Sequence, residues 1–165
     1  MPLRVLFVSK PIVPPFHDGT KCLVRDVALH LERAEAMVMS APGAPALESA
    51  VDAELYPSRD GRVPVQMAPV YPGAGRFAPA LRDNVRAAAF LLARSRADVW
   101  HYVFAPNPKS SVVGCAIGRL RRVPVLQTVA SAPRRFEGLS RLLFGQIVVA
   151  QSEWTRARVV DAYER

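Results

Sequence analysis

Two kinds of hydrophobic run alternate along this chain. Short, β-rich apolar stretches at 3–9, 36–40, 63–68, 98–104, 123–129 and 146–150 have the length of strands buried on both faces. Pro64 weakens the third of these, and residues 53–56 are a further strand candidate. Between the runs the spacing turns helical. Leu23, Val24, Val27, Ala28 and Leu31 share one face of a helix that Asp18 or Thr20 can cap. Over residues 80–96, Leu81, Val85, Ala88 and Leu92 stack at helical steps. Ser110 or Ser111 opens an apolar helix to about residue 120, and a short helix is predicted within 135–144. Ser152 caps a last helix, with Glu153 in its first turn at the positive end of the dipole.

Strands alternating with helices require right-handed crossovers and a mostly parallel sheet covered on both faces. The predicted architecture is a single doubly wound, Rossmann-like α/β domain. Ligands of such sheets bind beyond the carboxyl ends of the strands, where the strand order reverses. In the usual order that point lies between the first and fourth strands. The loops there, 10–19 and 105–109, are polar and interrupted by proline.

Composition adds limits. A chain of 165 residues, half apolar and 22% charged, fits one globular domain. At this size a fold buries about 70% of its unfolded surface and needs no metal or disulfide staple. No apolar run approaches the roughly 20 residues of a membrane span. Arg4 is followed by five apolar or small residues before Lys10, too few for a signal-peptide core, so a cytoplasmic location is expected. Cys22 and Cys115 fall in predicted helices without CxxC or Cys/His spacing, as buried free thiols do, and no metal site is expected.

The net charge is +8, and nineteen of the twenty-two basic residues are arginine. Such a balance attracts nucleic acid, anionic lipid or phosphorylated small molecules, and it also follows from a chain rich in Ala, Arg, Pro and Val. The arginines are spread rather than blocked, which argues against nucleic acid. Arg82, Arg86, Arg94 and Arg96 flank the apolar run 87–93, and Arg134, Arg135 and Arg141 flank Leu139, Leu142 and Leu143. Basic amphipathic helices of this kind lie on anionic membrane surfaces, and the same pattern fits a core stripe with a solvated charged back.

The first loop ends Phe16-His17-Asp18-Gly19-Thr20-Lys21. Gly19 leaves the mouth of the following helix open, where free N–H groups and the dipole favour an anion such as phosphate; Lys21 adds a charge one turn in. The segment matches neither GxGxxG nor GxxxxGK[ST], and a glycine that simply turns the chain reads equally well. His17, in this loop, is the histidine best placed for chemistry. His101 reads as a satisfied core residue, His30 as an exposed helix end, and Trp100 and Trp154 as packing. No Ser/His/Asp or Cys/His constellation assembles from the spacing.

Four segments together resemble glycosyltransferases of family 4, also called group 1. These are Arg4-Val5-Leu6-Phe7-Val8-Ser9 leading through Pro14-Pro15 to Asp18-Gly19, then Asp98-Val99-Trp100-His101, Val123-Pro124-Val125 before Thr128, and Ala150-Gln151-Ser152-Glu153. Their order and spacing span nearly the whole chain. The resemblance implies a GT-B enzyme, in which two Rossmann-like domains face each other across a cleft. It implies that these residues form the N-terminal, acceptor-side half and are inactive alone, the nucleotide-sugar site and its paired glutamates lying on a C-terminal half that this chain does not include. The substrates implied are a nucleotide sugar and a glycan or lipid-linked acceptor, with no resident cofactor. Attachment at the inner membrane face fits the arginine pattern. Asp18, Gly19 and Thr20 carry over to the loop that touches the donor diphosphate, and Asn107 and Lys109 lie where acceptor or donor contacts are expected. Two family histidines are Val103 and Ala130 here. That departure leaves the catalytic residue unassigned and keeps a non-catalytic binding module for a phosphorylated ligand as the rival reading.

Overall fold

The computed structural model describes residues 2–51, 63–73, 81–131 and 138–164. Within them six strands, β1 (Leu3–Val8), β2 (Ala34–Ser40), β3 (Gln66–Pro69), β4 (Val99–Phe104), β5 (Val125–Val129) and β6 (Ile147–Ala150), form one sheet. Four helices accompany them: α1 (Gly19–His30), α2 (Leu81–Ala93), α3 (Pro108–Arg121) and α4 (Glu153–Glu164). The order is β3-β2-β1-β4-β5-β6 and every pair is parallel, so the expected doubly wound, Rossmann-like fold is present. The order reverses between β1 and β4, where Phe7 stands opposite Val38 on one side and His101 on the other.

The alternation within β1 divides the core. Val5 and Phe7 meet Val38 and the Val24, Ala28 and Leu29 stripe of α1. Leu6 and Val8 face the other way, onto Met39, Trp100, Tyr102, Leu91 of α2 and Ile117 of α3. Trp100 is fully buried, and its indole N–H donates to Ser95 Oγ at 3.0 Å. At the sheet edge, β6 leaves Ile147 and Val149 exposed.

Several elements depart from the sequence reading for local reasons. β3 begins at Gln66 rather than 63. Pro64 offers no N–H to a ladder, and the Val65 N–H is taken by Glu48 Oε1 at 2.6 Å. α3 starts at Pro108 and is capped by Asn107, not by Ser110 or Ser111. A proline in the first turn gives up an N–H that the helix could not have used, and Asn107 Oδ1 accepts the Ser110 N–H at 3.0 Å. The Leu81, Val85, Leu92 stripe of α2 points outward, with Leu81 75% exposed; the helix instead buries Asp83 and Leu91 and half-buries Ala87 and Ala88. These small alanines let α2 settle against the sheet and α3. The short helix is a 3₁₀ turn at Leu139–Leu142. The candidate strand at 53–56 and residues 135–137 lie outside the described residues. Cys22 and Cys115 are free thiols, both half-buried in helices. Among the described residues no helix is long and apolar enough to cross a membrane.

Candidate functional site

β1 and β4 are neighbours, yet their chains leave to helices on opposite faces of the sheet, and this divergence opens a crevice at the carboxyl edge. A cavity of about 730 Å³ fills it and continues beneath α2 and α3 as far as Leu91. The cavity is two-natured. Lys10, His17, Asp18, Thr20, Lys21 and Asn107 form its mouth, whereas Ala87, Leu91, Tyr102, Val113 and Gly114 line its inner part.

The proline-rich loop before α1 is firmly held. Ile12 and Val13 are fully buried, and the Ile12 N–H donates to the Met39 carbonyl at 2.8 Å. Asp18 caps α1 from extended backbone, its Oδ1 accepting the Lys21 N–H at 3.0 Å and the Lys10 ammonium at 2.8 Å. Partial burial alone would raise the Asp18 pKa. The Lys10 hydrogen bond, the Lys21 N–H and both ammonium charges outweigh it and hold the carboxyl below its ordinary value. Lys21 turns its ammonium back onto the Val13 carbonyl at 3.0 Å. The helix mouth expected to receive an anion therefore already contains a carboxylate, and Lys21 is engaged with the loop itself. The N–H groups of Gly19 and Thr20 remain those that the helix cannot satisfy internally.

Of the seven residues singled out from sequence, His17, Asp18, Thr20, Lys21 and Asn107 line the cavity together. Gly19 sits between them in the chain, exposed, and a Cβ there would meet nothing within 4 Å. Lys109 is exposed in the first turn of α3 and does not line the cavity.

His101 takes the place expected of a core histidine. It is buried on the α1 side of the sheet, with Nε2 at 2.7 Å from Thr128 Oγ1, and burial pushes its pKa down to about 4. Its ring helps to line a second, smaller cavity of about 340 Å³ with Phe7, Leu23, Val27 and Val149. Val103 borders both cavities and brings no ionisable group to either. Ala130 packs against the α1-side core. His30 is an exposed helix end whose Nδ1 lies 2.7 Å from the Asp26 carbonyl oxygen.

Sequence reasoning missed two tyrosines. The Tyr71 hydroxyl donates to the Ser9 carbonyl at 2.6 Å, and burial, reinforced by Asp83, pushes its pKa up. Tyr102 is only 4% exposed, and its hydroxyl has no hydrogen-bond partner among the described residues. Burial first, then Cys115 and Tyr71, push its pKa up as well, so the group stays a neutral donor. Strand alternation puts Tyr102 on the face opposite His101, a signal available from sequence; that a cavity lies on that face is not. Among the described residues no three His, Cys, Asp or Glu side chains gather as metal ligands.

No family model matches the chain, and no curated protein is significantly similar to it.

Proposed function

We propose that this domain is the acceptor-side half of a retaining glycosyltransferase that uses a nucleotide-activated sugar, its donor-binding half facing the cavity mouth. The observation that carries the reading is the 730 Å³ cavity at the strand-order reversal, where Asp18, Thr20, Lys21 and Asn107 bring two helix starts to one rim. Unsatisfied N–H groups and lysines at such a rim suit a diphosphate that gains charge as it departs. The four motif segments set out above support the same assignment. Among the described residues Asp18 is the one carboxylate that lines the cavity, and the proposed reading assigns turnover to both halves together.

The test is transfer from a panel of nucleotide-diphosphate sugars by the full gene product and by its Gly19→Trp variant. Position 19 is exposed with open space around it, so an indole there perturbs the rim rather than the core. Transfer in the parent that falls at least tenfold in the variant is expected; full activity in the variant removes the loop from the mechanism.

One observation favours the rival binding module: Val103 and Ala130 leave the resemblance without its histidines. Saturable binding of a sugar phosphate with no transfer by the full gene product would select it. Peripheral attachment to anionic lipid draws on α2, which exposes Leu81, Val85 and Leu92 beside Arg82 and Arg86. Sedimentation with anionic vesicles, lost as salt rises, is the expected result, and binding that ignores salt counts against it.

A further inference from the structure

We infer that the acceptor is a phosphate-headed amphiphile whose apolar arm carries an oxygen, as an acyl ester does. The inference rests on the reading of this cavity as an acceptor site. Three observations carry it. First, past Asn84 and Ser110 near the helix starts, α2, α3 and β4 wall the cavity with Ala87, Ala88, Leu91, Val113 and Phe104, and a wholly polar sugar would lose hydration against that surface. Second, the mouth combines Lys10 and Lys21 against the single carboxylate of Asp18, an excess of one positive charge beside two helix starts. Third, the Tyr102 hydroxyl is buried beside these apolar walls and has no hydrogen-bond partner among the described residues.

An unpaired buried hydroxyl is costly in the free protein, and satisfied polar groups are the norm. Tyr102 cannot swing away to relieve it. Its ring stands edge-on to Phe144 at 5.0 Å and to Phe104 at 5.9 Å. Its third side is closed by Gly114, where even a Cβ would come within 3.0 Å of the ring. The hydroxyl is therefore a fixed donor waiting for an acceptor atom, and the surrounding surface selects an apolar carrier for that atom. The mouth takes the anionic head, the slot beneath α2 and α3 takes the chain, and Tyr102 reads the oxygen along it.

The test is calorimetric titration of this chain with methyl phosphate, octyl phosphate, octyl glucoside and mono-octanoyl glycerol phosphate, all below micelle-forming concentrations. Octyl phosphate should bind at least roughly tenfold tighter than methyl phosphate and tighter than octyl glucoside. The octanoyl ester should gain roughly fivefold over octyl phosphate, and Tyr102→Phe should erase that gain without lowering the melting temperature. Ala88→Leu, which fills the slot from α2, should weaken both chain-bearing phosphates and leave methyl phosphate unchanged. Equal binding of methyl and octyl phosphate overturns the apolar slot. Equal binding of octyl glucoside overturns the anionic head. A Tyr102→Phe variant that melts lower, or that weakens every ligand alike, overturns the role of the hydroxyl. Chain-dependent binding in a protein that transfers no sugar would keep the amphiphile as the ligand of this cavity, no longer as an acceptor, and sink the transferase reading, so the two fail separately.

Discussion

The two helices that begin at the cleft are capped by different chemistry. At α1 the cap is a carboxylate, Asp18, locked to Lys10 at 2.8 Å. At α3 it is the neutral Asn107, followed by Pro108 and no acidic residue in the first turn. Both caps satisfy an orphan N–H, and both lie on the cavity rim. They differ in what they leave for a ligand. Asp18 cancels much of the α1 dipole and occupies the nearest lysine, whereas α3 carries no acidic residue in its cap or first turn. An anion at the rim is therefore expected to lean toward α3, although the glycine that attracts attention in the sequence stands at α1.

Breaking the charged cap is the largest perturbation. Asp18→Ala removes a cap and strands the Lys10 ammonium, and should cost about 1–2 kcal/mol in denaturant unfolding, a penalty that shrinks as salt rises. Asn107→Ala should cost about 1 kcal/mol, independent of salt. If both penalties respond to salt alike, the contrast between the caps is lost. Exchanging the cap chemistry sharpens it. Asp18→Asn keeps the cap and removes the charge, and should tighten inorganic pyrophosphate binding about threefold by calorimetry; Asn107→Asp should weaken it by a similar factor. Equal affinities across both variants would show that neither helix start feels the ligand.

The acid response is the smallest effect. Asp18 has its pKa held low in the folded state, so its contribution is complete above the ordinary carboxylate range and disappears as pH falls through the depressed value. His101 acts at higher pH. Its folded value near 4 lies below the usual 6.5, so the unfolded chain takes up the proton first and stability falls between those two values. The Asp18 step is thus read as the difference between the parent and Asp18→Asn in chemical denaturation below pH 4, where the two curves should converge.

The strands were legible because a sheet covered on both faces demands short continuous apolar runs, and residues 3–9 and 98–104 supply them without ambiguity. Asp18 as a cap was equally legible, since side-chain capping is a local matter. Asn107 was not, because two serines three and four residues later offered the same chemistry and the proline between them reads first as a breaker. The outward turn of Leu81, Val85 and Leu92 was hidden for a different reason: periodicity finds an apolar stripe but not the side on which the neighbouring helix sits. The Lys10 to Asp18 pair and the Tyr102 hydroxyl, without a partner among the described residues, depend on how loops and layers meet in space, which no spacing encodes.

The place of β1 in the sheet has a consequence for biosynthesis. This strand lies in the middle, yet its second neighbour, β4, is not complete until residue 104. While the ribosome extends the intervening chain, the earliest strand presents a bare backbone edge with Leu6 and Phe7 on its two sides. A nascent polypeptide halted before residue 99 is then a sticky half-sheet, a client for chaperones and a seed for aggregates, until β4 arrives to close the seam.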